Sequence, residues 1–103
     1  MTSGLFMKLK FSERSKAHLR QIHSYTLENF GPRQVAVYRG ALSQGLATQR
    51  RFPTIGLASP DLPEGVRAFR LKEHWICYAV FGDTIQIEAF IQSLPEFRVE
   101  DLE

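Results

Sequence analysis

The sequence predicts an α+β fold in the order β-α-α-β-β-β, with a helical hairpin packed on one face of a small antiparallel sheet. Two observations point there. Apolar residues recur at helical spacing through the first half, and the last third changes to runs of β-branched and aromatic residues. A third, the Gly-Pro and Gly-Asp pairs between these segments, supplies the breaks.

A short strand is read at Lys8 to Phe11, followed by Ser12 and Glu13, a good helix start: the hydroxyl caps free amides and the carboxylate sits at the positive end of the helix dipole. Leu19, Ile22, Thr26 and Phe30 then form a stripe, with Arg14, Lys16, Arg20 and Glu28 off it. Gly31 ends this helix. Pro32 suits the first turn of the next, where its missing N–H costs nothing, and Val35, Tyr38, Leu42 and Leu46 continue the stripe toward Arg50, Arg51 and the terminating Pro53. Gln49 stands where an apolar residue is expected. Pro53 to Gly65 reads as a long ordered loop. Strands follow at Val66 to Leu71, His74 to Phe81 and Thr84 to Ile91, the last two joined by a Gly82-Asp83 turn.

That turn sets a register. With Phe81 opposite Thr84, Val80 pairs with Ile85, Tyr78 with Ile87 and Ile76 with Ala89 on a core face that the helices cover. Cys77 with Glu88 and Trp75 with Phe90 fall on the other face, which Gln86 and Glu88 mark as open to solvent. Trp75 and Phe90 are the only paired large aromatics expected outside the core. With Arg67, Arg70, Lys72 and His74 at the rim, they are the candidate partner-binding residues. Arg67, heading a strand after Gly65, is also placed to anchor the loop before it through carbonyl hydrogen bonds, and this is the role the sequence favours.

The 103 residues suit one domain, 1–103, ending in an acidic tail over 96–103. Hydrophobic residues make up 44% and charged residues 23%, enough apolar content for a core and unlike a disordered chain. The net charge is +2, but without residues 96–103 there remain 12 basic and 7 acidic residues, a charge of +5 that suggests an acidic partner. No apolar run approaches the roughly 18 residues of a membrane span, and Met1 to Lys10 is too short and punctuated for a signal peptide, so a cytoplasmic protein is expected. Cys77 is the only cysteine, which excludes an internal disulfide and any cysteine zinc set. His18 and His23 lie five apart, about 140° around a helix, and cannot share an ion, so no metal and no cofactor are expected.

The order and spacing of several segments resemble the RelE/ParE toxin superfamily, in particular the ParE (plasmid stabilisation) branch. They are Ala17-x-Leu19-x-x-Ile22-x-x-Tyr25, Phe30-Gly31, Val35-x-x-Tyr38-x-x-x-Leu42, Phe52-Pro53-x-x-Gly56, Gly65-Val66-Arg67-x-Phe69, Tyr78, and Ile85-x-Ile87. The resemblance implies a toxin of a type II toxin-antitoxin system that acts by binding DNA gyrase and is held in a hetero-oligomer by a cognate ParD-like antitoxin. Where family members often continue into a His-x-Arg segment after the last strand, this chain has Ile91-Gln92-Ser93-Leu94-Pro95 and then turns acidic.

Two alternatives stay open, a RelE-type ribosome-dependent mRNA endoribonuclease and a non-toxic protein-interaction domain of the same fold. Metal-independent RNA cleavage needs a group to deprotonate the 2′-OH, a cation for the phosphoryl charge and a proton donor for the leaving oxygen. Trp75-Ile76-Cys77-Tyr78 carries no arginine, and no basic residue follows the last strand until Arg98. Ser24, Ser43 and Ser93 have no placed His/Asp companions, and Cys77 has no base in register across the hairpin. No catalytic residues are therefore assigned, and the expectation is a binding protein.

Overall fold

The computed structural model describes residues 7–98; Glu100, Asp101 and Glu103 of the expected acidic tail lie outside them. The elements are β1 (Lys8–Phe11), α1 (Glu13–Phe30), α2 (Pro32–Arg51), β2 (Val66–Leu71), β3 (His74–Phe81) and β4 (Thr84–Ile91), followed by a short 3-10 turn at Leu94–Glu96. The sheet order is β1-β4-β3-β2. The two hairpins make β2, β3 and β4 antiparallel, while β1 joins β4 in parallel, its chain having returned through the helices and loop.

Ser12 does more than cap a helix. Its Oγ accepts from the Ser15 amide at 3.0 Å and donates to the Glu88 carbonyl at 3.1 Å, while its own amide donates to the Ile87 carbonyl at 2.9 Å. β1 ends at Phe11 opposite Ile87. Beyond that point α1 serves the exposed edge of β4: Ser12 takes Glu88, and His18 Nδ1 accepts from the Phe90 amide at 3.0 Å. The backbone groups that a longer β1 would have paired are thus met by side chains. At the other end, Gly31 at φ +86 donates its amide to the Leu27 carbonyl, and Pro32 starts α2 at once.

The register holds from the turn as far as Tyr78 opposite Ile87 and then shifts. Cys77 pairs with Ala89, so Glu88 is an extra residue in β4, a β-bulge. One inserted residue turns everything after it to the opposite face. Ile76 lies opposite Phe90 and Trp75 opposite Ile91, which corrects the expected Ile76–Ala89, Cys77–Glu88 and Trp75–Phe90 pairs.

Two cores result. On the helical side Leu71, Ile76, Tyr78, Ile85, Ile87 and Phe90 pack against Leu19, Ile22, Tyr38, Leu42 and Leu46. Val80, expected in this layer, remains 38% exposed next to the turn. On the other side Leu62, Val66, Ala68, Cys77, Ala89, Ile91 and Phe97 form a second cluster. This face is not open. The loop before β2 brings Leu62 over it, and the segment after β4 brings Leu94 and Phe97. Gln86 and Glu88, read as solvent-facing, are buried there, the Gln86 amide donating to the Glu88 carboxylate at 2.8 Å.

The Pro53–Gly65 loop is ordered by named contacts. The Tyr78 hydroxyl donates to the Pro53 carbonyl at 2.9 Å and accepts from the Gly56 amide at 2.8 Å. Gly56 is required, since a Cβ would sit 2.7 Å from that hydroxyl and 3.0 Å from the Ala68 carbonyl. Leu57 and Ala68 exchange backbone hydrogen bonds of 2.9 Å, which covers part of the β2 edge.

Candidate functional site

The sequence-derived candidates do not form one surface. Phe90 is 4% exposed and belongs to the helix-facing core, because the bulge reversed its side. Trp75 is half-buried against the second cluster, with the Arg70 guanidinium 5.2 Å above its ring. Arg67 donates to the Thr54 and Gly56 carbonyls at 3.2 and 2.7 Å, the loop-anchoring role read from its position.

Lys72 and His74 go elsewhere. Lys72 holds a left-handed backbone, φ 51, in the two-residue turn between β2 and β3. It lines a groove of about 930 Å³ together with His74, Glu73 and residues of both helices, among them Tyr25, Phe30 and Tyr38. A second cavity of about 400 Å³, walled largely by apolar side chains of the helical hairpin, shares Ile22, Thr26 and Tyr38 with the first. The larger is a channel between the helices and the Lys72–Glu73 turn, and Arg20 and Arg39 line the smaller.

Tyr25 and Phe30 are the residues the sequence reading missed. Helical spacing puts Phe30 on the stripe, but it is 63% exposed and Tyr25 is 61% exposed, their rings edge to face with centroids 6.2 Å apart. From His23 to Gln34 every residue except Thr26 and Gly31 is exposed, so the tip of the hairpin carries its aromatic pair on the surface. A signal existed in Tyr25, an aromatic off the Leu19–Ile22–Thr26 stripe on a helix whose other off-stripe residues are mostly polar.

Two polar groups at the groove are unsatisfied among the described residues: the Tyr38 hydroxyl and Nδ1 of His74. Burial pushes the Tyr38 phenol up to about 12 and holds the His74 imidazole below its ordinary range, with Glu73 opposing the latter shift. Cys77 is fully buried and its thiol is pushed up to about 12 by that burial, against the influence of Arg14, so it is a packing residue and not a nucleophile. No group of three or more potential metal ligands occurs among the described residues, and no helix there is long and apolar enough to cross a membrane.

A small α+β domain with a bare aromatic tip and a long open groove has the build of a protein that binds another. The comparisons agree. A family model described as the ParE toxin of type II toxin-antitoxin systems, parDE, matches residues 9–93, and the chain belongs to that family. It is a toxin of the RelE/ParE superfamily that acts by protein binding and not by catalysis, and a cognate antitoxin is its partner. Among solved structures, a chain described as the chromosomal ParDE toxin-antitoxin system from P. aeruginosa superposes with a TM-score of 0.71 at 21% identity, covering 84% of this chain and 96% of that one. No curated protein sequence matches.

Proposed function

We propose that this toxin acts by binding DNA gyrase, and that a ParD-like antitoxin silences it by laying an amphipathic segment along the channel between α1, α2 and the Lys72–Glu73 turn. The observation that carries the antitoxin surface is the channel itself, about 930 Å³, largely apolar and lined by the exposed Tyr25–Phe30 pair. An ordering segment needs apolar anchors to offset its lost entropy, and large exposed aromatics are the usual anchors. This reading keeps Lys72 and His74 in the partner surface and replaces Trp75 and Phe90 by Tyr25 and Phe30 as anchors. Gyrase is the target the family resemblance implies, and a binding mode of action is consistent with it.

Expression without antitoxin should arrest bacterial growth, with loss of gyrase supercoiling activity and accumulation of DNA breaks, and co-expression of the cognate antitoxin should restore growth. Supercoiling assays with purified gyrase, run beside primer-extension mapping of messenger RNA, check this. Messenger cleavage near codon ends with supercoiling intact would transfer the target from gyrase to the ribosome.

A further inference from the structure

Apolar packing does not account for the Tyr38–His74 end of the groove. The two rings meet edge to face with centroids 6.1 Å apart, yet the Tyr38 hydroxyl and His74 Nδ1 are shielded from solvent without a hydrogen-bond partner among the described residues. Buried polar atoms are nearly always paired, and leaving one unmet is costly. Two such atoms on neighbouring rings that line one groove mark where an incoming partner supplies the missing group. His74 opens β3, is only half-buried and lines the groove.

The surrounding charge selects the kind of group. Arg70 of β2 and Lys72 and Glu73 of the adjoining turn are next to His74, with Glu96 after β4. A neighbouring cavity that shares His74 is lined by Arg14 and His18 of α1. The smaller cavity of the helical hairpin is lined by Arg20 and Arg39, and α2 as a whole carries Arg33, Arg39, Arg50 and Arg51 with no acidic residue. Next to His74 the charges are mixed, Glu73 and Glu96 against Arg70, and the positive excess lies on the helices; neither Glu73 nor Glu96 bonds to Nδ1.

We propose that an acidic side chain of the antitoxin seats at the Tyr38–His74 pair, accepting from the Tyr38 hydroxyl and from a protonated His74, so that complex formation takes up a proton. This rests on the channel being the antitoxin surface. In the free toxin, burial disfavours the imidazolium, while an apposed carboxylate favours it. The complex then binds more protons than its separated parts, and affinity rises as pH falls through the window between the free and bound imidazole values.

Isothermal titration of the toxin with its cognate antitoxin, at pH 8 and pH 6 and in buffers of different ionisation enthalpy, reads both consequences. Affinity should tighten by about tenfold at the lower pH, with close to one proton absorbed. His74→Gln should remove the difference between the two pH values, and Tyr38→Phe should weaken binding at both while keeping the difference. Should His74→Gln fail to fold, NMR titration of the His74 imidazole in the wild-type chain, free and bound, replaces it, and a midpoint that does not rise on binding overturns the proposal. The double change Tyr25→Ala and Phe30→Ala separates the two levels. Lost antitoxin binding in that variant, with a flat wild-type pH profile and no proton uptake, overturns the proton-coupled contact and leaves the channel standing. Unchanged binding in that variant overturns the channel as the antitoxin surface, and this proposal with it.

Discussion

Two buried polar side chains are treated in opposite ways. Tyr78 is fully buried and its hydroxyl is used twice, donating to Pro53 and accepting from Gly56, so the phenol ties the loop to the core. Gln49 is also fully buried, on the inner face of α2, but neither its amide nitrogen nor its amide oxygen has a partner among the described residues. Its departure from the apolar stripe was visible in the sequence, and nothing in the structure explains it. Gln49→Met keeps the chain length and removes both unmet groups, so it should raise stability by about 1 to 2 kcal/mol in urea unfolding. A loss of stability would mean that the amide is bonded in solution.

At the scale of elements, the bulge in β4 decides which side chains are core. A regular hairpin would have placed Phe90 beside Trp75 on the second face; the extra Glu88 moves Phe90 under the helices and Ala89 and Ile91 into the second cluster. Phe90→Ala should therefore cost about 3 to 5 kcal/mol in denaturant melts as a core truncation. A cost below half a kcal/mol would return Phe90 to an exposed face and refute the bulge. The same element shows why α1 starts where it does. β4 outruns β1, and the serine cap and His18 of α1 satisfy the edge left behind, so the helix start is fixed by the sheet as well as by local capping.

For the whole molecule, charge is distributed by element. α2 carries four arginines and no acid, and the body without residues 96–103 carries +5. Such a field speeds encounter with an acidic segment more than it tightens the complex. Raising ionic strength from about 0.05 to 0.5 M should slow antitoxin association by about tenfold while changing dissociation little, as stopped-flow mixing would read. A salt-independent association rate would remove electrostatic steering from the account.

The sequence by itself determined the element order, the bounds of every strand and helix from Lys8 to Ile91, the hairpin turn and the family. These rest on local chemistry: a serine cap, a Gly-Pro break, helical and strand periods, and a Gly-Asp turn, each readable within a few residues. It also placed Arg67 at the loop, since a cation heading a strand beside a glycine-rich turn meets carbonyls. The candidate site was legible only in part, through Lys72 and His74. Tertiary structure alone decided the rest, because a bulge leaves no compositional mark and yet reverses three residues, and because whether a face is open depends on segments distant in the chain. Leu62 and Phe97 closed the face that Trp75 was expected to share with solvent, and among the described residues the hairpin tip stays exposed, which leaves Tyr25 and Phe30 bare. Burial is a property of what arrives from elsewhere, and no periodicity within β3 or α1 records it.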